Sequence, residues 1–497
     1  MNTRPQPPSL ILVTVDCLRA DHCGFYGYPR PTTPFLDDLS AESLVMPTAV
    51  VAGAPTYYSL PSLLASRMPL ALGRDVVGLA PGETTLATVL QQSGYATAAF
   101  SAANPYISAQ FGYNQGFEVF HDFLDFDASN AAPSAPAAAG QRARANQLLR
   151  RIAEKCGLSR VYSELYFQYC LRIASAPIKS IDALRKFPSA RTIVDQAISW
   201  MDSAGTQPFF LWLHLMDPHS PYYPEARAFR EFTGTEISPA EARYTNEFWN
   251  RSDLTACRLK AKRDSVVKLY DAGIRSVDHH LARLVDHLRN QHLWDNCVFV
   301  LTADHGEEFL ENGRRYHAPV SMSEELIRVP LMMRIPSFPT RTVPDSVFSH
   351  LHLVPTLLEI LSIQTPPSFK GRSLWQNLQQ GTPWDDPAVA ECAYGCTNPL
   401  HREARMLPRL LTVRDSRYKM VFRLHPGATE DLYDLKSDAS ATNSLPGDVG
   451  REIRARFVRA ALDNMEDAAK GLDTVARLRA RLRDCRLELQ KHCSKAS

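Results

Sequence analysis

The stretch Leu301–Glu308, LTADHGEE, sets an Asp–His pair and a glycine directly after an apolar, β-prone run, Asn296–Thr302. A strand end fixes the backbone there. Asp304 and His305 offer a carboxylate and an imidazole, and Gly306 lets the chain turn away, which is a good setting for a divalent metal. The run Leu10–Val15 delivers Asp16 in the same way. Gly53 and Pro55 break the chain just before Thr56, and a helix beginning shortly after puts that hydroxyl at a helix N-terminus, where an anion is favoured. One Asp, an Asp–His pair and a hydroxyl, Asp16, Asp304, His305 and Thr56, make a four-donor set for a cation that would activate the hydroxyl against a phosphoryl or sulfuryl group. Ser59 and Ser62 are the structural rivals of Thr56, and either could simply be a helix cap. His214, Asp217 and His219 cluster in a proline-punctuated loop after a third apolar run, PFFLWL. His219 and His317 could hold the remaining oxygens, protonate a leaving group or bind a second cation.

These residues need a sheet to bring them together. Leu10–Val15, Tyr95–Ser101, Pro208–Leu213, Asn296–Thr302 and Arg328–Ile335 read as strands of an α/β core, the Leu10–Val15 run as a central parallel strand buried on both faces. Helices are expected at Phe35–Ser43, from Ser59 to Arg67, at Glu83–Gly94, Ala190–Asp202, Val266–Asn290 and Pro355–Leu361. Arg19 and Asp21 read as an ion pair bracing a turn. Asp127–Ala143, rich in Ala, Pro and Ser, reads as a flexible insertion. Residues 145–186 follow with helical periodicity and clustered tyrosines, as a packed helical pair or a flap over the site. From about Asp386 the pattern changes to four short strands of a smaller antiparallel sheet. The expected division is a catalytic domain over 1–385 with an insertion at about 127–186, a small sheet over 386–448, and a helical, basic tail over 449–497.

The 497 residues are 45% hydrophobic, enough for a large core, and the net charge of +2 gives no reason to expect nucleic acid. Ten cysteines are scattered with no CxxC pairs, as in a reduced, cytoplasmic protein. Ser9–Val15 is too short for a signal-peptide core, and no apolar run reaches the roughly 18 residues of a membrane span. In the tail, Val475, Leu478, Leu482, Cys485 and Leu489 alternate with five arginines between Arg477 and Arg486. That stripe packs on the body or offers peripheral contact with an anionic membrane or partner.

Taken in order, VTVDCLRADHCGFYGY, LWLHLMDPHSPYYP, LTADHGEEFLENG, EELIRVPLMMRIP, LVPTLLEIL, GRSL and EDLYDLKSD resemble the motifs of the sulfatase-like branch of the alkaline-phosphatase superfamily over nearly the whole chain. The resemblance implies helices around a central mixed, mostly parallel sheet, a smaller C-terminal α+β domain, and a metal site using Asp16, Asp304 and His305. Sulfatases of this fold carry a Cys or Ser that is oxidised to formylglycine. Here the frame that best keeps the spacing to Leu63–Leu64 and Pro69 puts Thr56 at that place, and threonine cannot become formylglycine. Thr56–x–x–Ser59–x–Pro61 instead resembles the phosphoethanolamine transferases, whose nucleophile is a metal-bound threonine. The rival frame starts at Ser59. By the same resemblance His317, twelve residues after His305, and His219 contact the transferred group, with His214 as a further substrate contact. Cys17 stands where many sulfatases have a second metal-binding Asp, which favours Zn or Mn over Ca.

The resulting expectation is a metal-dependent hydrolase or transferase that cleaves phosphate-type esters or diesters through a covalent Thr56 intermediate. Its substrate would be a small-molecule, glycan or lipid-headgroup ester. The alternatives are a sulfatase that works without formylglycine, and a non-catalytic binding protein.

Overall fold

The structure is a computed structural model and describes residues 7–125, 140–172, 179–205, 207–340, 343–424 and 429–467. Its centre is a seven-stranded sheet. In chain order the strands are β1 (Ser9–Val15), β2 (Leu44–Val45), β3 (Ala96–Ser101), β4 (Val119–His121), β5 (Phe209–Leu215), β6 (Cys297–Ala303) and β7 (Leu331–Arg334). In space they run β2-β7-β6-β1-β5-β3-β4. β1 lies between β5 and β6 and is parallel to both, and β3 is parallel to β5 and β4. β7 alone is antiparallel to its neighbours, β6 and β2. Every residue of β1, β3, β5 and β6 is buried. Strands covered on both faces lose the alternation of polar and apolar residues, so their sequences are near-continuous apolar runs.

Around this sheet lie α1 (Thr56–Ala65), α2 (Gly140–Lys155), α3 (Ser159–Arg172), α4 (Ala190–Ser203) and the long α5 (Arg263–Asn290). α5 buries Val266, Tyr270, Ile274, Val277, Leu281, Leu284 and Leu288 at spacings of three and four, the stripe expected of a helix lying on a sheet. α1 starts three residues earlier than the sequence suggested, so Pro61 lies inside it rather than in its first turn. Residues 140–143 open α2, whereas 126–139 of the expected flexible insertion lie outside the described residues, as does the arginine-rich stripe of the tail. A second, antiparallel sheet follows in sequential order: β8 (Ala388–Ala393), β9 (Arg409–Arg414), β10 (Tyr418–Leu424) and β11 (Thr429–Asp434). Phe457 and Ala461, from a helical stretch at 451–467, close its core with Leu411, Val413, Met420 and Leu432. The architecture is therefore α/β, a mixed and mostly parallel sheet among helices with a smaller C-terminal α+β unit. Among the described residues no helix is long and apolar enough to cross a membrane, and the eight described cysteines are free.

Candidate active site

The register of the sheet sets the site. Val15 pairs with Leu215 on one side and Ala303 on the other, so three chains leave the sheet at one level. Asp16 follows β1 and Asp304 follows β6, both fully buried. Thr56 arrives from elsewhere. Thr48–Val50 pairs with Arg328–Val329 and with Val347–Ser349 in a small second sheet, and the chain then runs through Pro55 into the first turn of α1. No side chain caps that helix end. Ser59 and Ser62 are spent inside the helix, donating to the carbonyls of Thr56 (3.2 Å) and Ser59 (2.6 Å).

The donors meet at His305. Its Nε2 lies 3.2 Å from Thr56 Oγ1, 3.6 Å from Asp16 Oδ1 and 3.6 Å from Asp304 Oδ2. Its other nitrogen, Nδ1, donates to the Gly306 carbonyl at 2.8 Å. A carbonyl can only accept, so Nδ1 carries a proton and Nε2 is the nitrogen turned toward the two carboxylates. Asp304 Oδ1 accepts from the His305 amide at 2.9 Å, while Oδ2 is buried with no hydrogen-bond partner. Asp16 Oδ2 accepts from Asn104 Nδ2 at 3.0 Å and faces His214 Nε2 at 3.3 Å. Burial alone would raise the Asp16 carboxyl; the charge of His219, the bond from His214 and the charge of His305 outweigh it and hold the group well below the usual carboxylate range.

These residues fit a divalent cation. Two fully buried carboxylates and an imidazole nitrogen converge, an oxygen lacks a hydrogen-bond partner, and among the described residues neither carboxylate is paired with Lys or Arg. Uncompensated buried charge is costly, and a cation removes the cost. Separations of 3.2–3.6 Å suit donors that share one ion at about 2.0–2.2 Å.

The turn after Asp16 is held by α5. Tyr270 Oη donates to the Cys17 carbonyl (2.7 Å) and accepts from the Arg19 amide (3.0 Å). Cys17 sits at φ 63°, a left-handed conformation that this clamp keeps in place. Its thiol donates to Asp16 Oδ1 at 3.2 Å, and burial, with the charges of Glu307, Asp16 and Asp304, pushes its pKa well up, so it stays protonated. Arg19 grips Asp21 through Nε and Nη2 and adds Glu311 and the Glu307 carbonyl, bracing the turn to the β6 loop.

Two further histidines form the wall toward solvent. The rings of His219 and His317 are 5.0 Å apart, and that of His317 is 4.7 Å from His305. His219 Nδ1 donates to the Ser220 carbonyl. His317 follows a short hairpin, Glu308–Phe309 paired with Arg315–Tyr316. Its Nδ1 lies 3.3 Å from Glu307 Oε1. Both histidines line a cavity of about 390 Å³ with Thr56, Asn104, Met216 and three tyrosines, Tyr57, Tyr106 and Tyr316. His214, read from the sequence as a substrate contact, is fully buried beside Asp16. Asp217 in the same loop is structural, binding Arg185 (2.9 Å) and the Ala190 amide at the start of α4 (2.7 Å).

The Asp–His loop has no room for a larger residue after His305. A Cβ on Gly306 would come within 1.9 Å of the Glu325 carbonyl oxygen. Gly306→Ala should therefore cost about 3 kcal/mol of stability and lower activity with it. Thermal unfolding checks this; an unchanged unfolding temperature would contradict it.

The sulfatase family model matches residues 8–363. The chain belongs to the sulfatase family. Residues 314–467 of this sulfatase-family chain also match the C-terminal region of N-sulphoglucosamine sulphohydrolase. A sulfatase of Formosa agariphila is 25% identical over 276 residues, 51% of this chain and 50% of that protein. The multifunctional alkaline phosphatase superfamily protein PehA of Trinickia caryophylli is 22% identical over 296 residues, 53% and 56% of the two chains. The chain thus spans about half the length of these curated relatives. The phosphonate monoester hydrolase of Agrobacterium radiobacter shares the fold, with a TM-score of 0.63 at 19% identity over 94% of this chain and 96% of that one.

Asn104 and Glu307 were not singled out in the sequence. Asn104 lies in a loop otherwise notable for its aromatics, and Glu307 reads as one more acid in an acidic stretch. The available signal was position, since Asn104 lies three residues and Glu307 four residues beyond the end of a buried strand, Ser101 and Ala303.

Proposed function

We propose that this sulfatase-family chain is a metal-dependent hydrolase or transferase of phosphate-type esters or diesters, acting through a covalent intermediate on Thr56. One observation carries the reading: the hydroxyl at the start of α1, 3.2 Å from the His305 Nε2 that also faces two buried carboxylates, is a threonine. Oxidation of a threonine side chain would give a ketone, so the aldehyde chemistry of formylglycine is closed to this position, and the hydroxyl itself must attack.

Asp16, Thr56, Asp304 and His305 would hold a divalent cation, Zn or Mn in preference to Ca, which would lower the hydroxyl pKa and offset charge on the transferred group. The first-turn amides of α1 favour the same negative charge. His219 and His317 bind the outer oxygens. Glu307 accepts from His317 Nδ1–H, which leaves Nε2 to carry a proton to the leaving oxygen. Water or an acceptor then displaces the group from Thr56. A cytoplasmic setting is part of this reading, and the free cysteines agree with it.

His317→Asn should lower kcat/KM by about 100-fold or more, with a steeper loss for an alkyl ester than for a p-nitrophenyl ester, whose leaving group needs no proton. Equal losses on both would remove the acid role.

Sulfate-ester hydrolysis by the unmodified threonine is the second reading, supported by the family and by the Formosa sulfatase. Rates on p-nitrophenyl sulfate, phosphate and phenylphosphonate separate the two. Preferential turnover of the sulfate would overturn the first.

A further inference from the structure

The largest concentration of exposed apolar surface lies away from the catalytic cavity, on the paired helices α2 and α3. Of the 17 exposed large hydrophobic residues in the described chain, eight fall between positions 148 and 169: Leu148, Leu149, Ile152, Leu158, Val161, Leu165, Tyr166 and Tyr169. Leu165 is 66% exposed and Leu148 60%. The pattern is ordered. On α3 the inner face is anchored: Glu164 binds Arg251 (2.8 Å) and Arg258 (3.1 Å), and Phe167 packs on Tyr244 and Phe248 under the Arg251 guanidinium. Val161, Leu165 and Tyr169, at steps of four, form the opposite face, and Leu158 lies exposed just before the helix begins. Leu148, Leu149 and Ile152 continue the apolar surface on α2, beside exposed Arg150, Arg151 and Lys155. The acid among these, Glu154, is paired with Arg150.

We propose that the α2–α3 hairpin docks the protein on a membrane surface carrying anionic lipid headgroups. An apolar helical face edged by arginines and lysine, with tyrosines beside it, is the composition of a segment that lies in the interface of a bilayer. The positive edge decides between a lipid surface and a second copy of this chain, because two such faces would bring like charges together. The hairpin is joined to the rim of the catalytic cavity. Its anchor, Phe248, adjoins Trp249, whose carbonyl accepts from Arg315, and Arg315–Tyr316 leads directly into His317. Docking there would bring a lipid-headgroup ester near the cavity. The docking itself does not depend on the chemistry assigned to Thr56.

The test is co-sedimentation of the full chain with phosphatidylcholine vesicles, with and without phosphatidylserine. The wild type should bind the phosphatidylserine vesicles and bind phosphatidylcholine alone weakly. Leu158→Ser/Leu165→Ser should reduce binding at least tenfold, and Arg150→Glu/Arg151→Glu should abolish the gain from phosphatidylserine. Both variants should keep the wild-type rate on a soluble p-nitrophenyl ester, which shows that they are folded. Three outcomes overturn the proposal: a wild type that binds neither vesicle, variants that bind as the wild type does, or a hairpin variant that turns a dimer into a monomer without any vesicle binding.

Discussion

Thr56→Ala should reduce turnover on every substrate of the enzyme by a factor on the order of 10,000 while leaving the fold intact. Thr56 starts α1, alanine is well tolerated in a helix, and the stability change should stay within about 1 kcal/mol. The loss should be this large because the proposed mechanism makes the hydroxyl both the attacking group and a donor to the cation site, so one substitution would remove two functions. Thr56→Ser restores the hydroxyl and should recover much of the rate. Ser59→Ala removes only a hydroxyl that donates to the Thr56 carbonyl, and it should cost less than about tenfold. Thr56→Ala turning over at the wild-type rate, measured with a chromogenic ester, would move the nucleophile elsewhere. A dead Ser59→Ala beside an active Thr56→Ala would restore the rival frame.

The second large effect concerns the cation. Exhaustive chelation should take activity to background, and Zn or Mn should restore it. Stability should follow, because binding to the folded state alone contributes about 4 kcal/mol when free metal is 1,000 times Kd. Asp304→Asn gives a sharper test through a change of sign. Without metal, Asp304 Oδ2 is a buried, unpartnered oxygen facing a second carboxylate across His305, so removing its charge should stabilise the metal-free protein by roughly 1–3 kcal/mol. With metal present the same substitution removes a charged donor, so the variant should bind the ion weakly and be less stable than the loaded wild type. Unfolding temperatures of both proteins, with chelator and with added Zn, decide this. If Asp304→Asn lowers stability equally in both conditions, the carboxylate serves structure alone.

Much of this site could be read before any coordinates. Asp16, Asp304 and His305 were legible because buried parallel strands are unbroken apolar runs, and the first polar residues after them mark the carboxyl end of the sheet. Thr56 was legible from its spacing to Leu63–Leu64 and Pro69 rather than from any local pattern. The smaller sheet was legible from strand composition. The rest depends on contacts distant in sequence. Asn104 reaches Asp16 across 88 residues, and only its place shortly after a buried strand marks it. Tyr270, Asp271 and Asp278 look like helix residues. Their work is to hold the first motif: Tyr270 clamps the Cys17 turn, Asp271 binds His22 at 2.7 Å, and Asp278 accepts the amides of Phe35 and Leu36. The left-handed backbone at Cys17 has no signature in residue type, because it is imposed by the clamp. His214 belongs with these, since a strand-end histidine gives no sign of whether it faces the cavity or stands behind a carboxylate.

The most direct measurement is the mass of the peptide containing Thr56, taken from protein quenched in acid during turnover of a phosphate diester or phosphonate ester. A phosphoryl-type increment on that peptide, localised by fragmentation to Thr56 and absent from the Thr56→Ala protein, is the result this account predicts. An increment on Ser59 or on a histidine, or the same increment in Thr56→Ala, would contradict it.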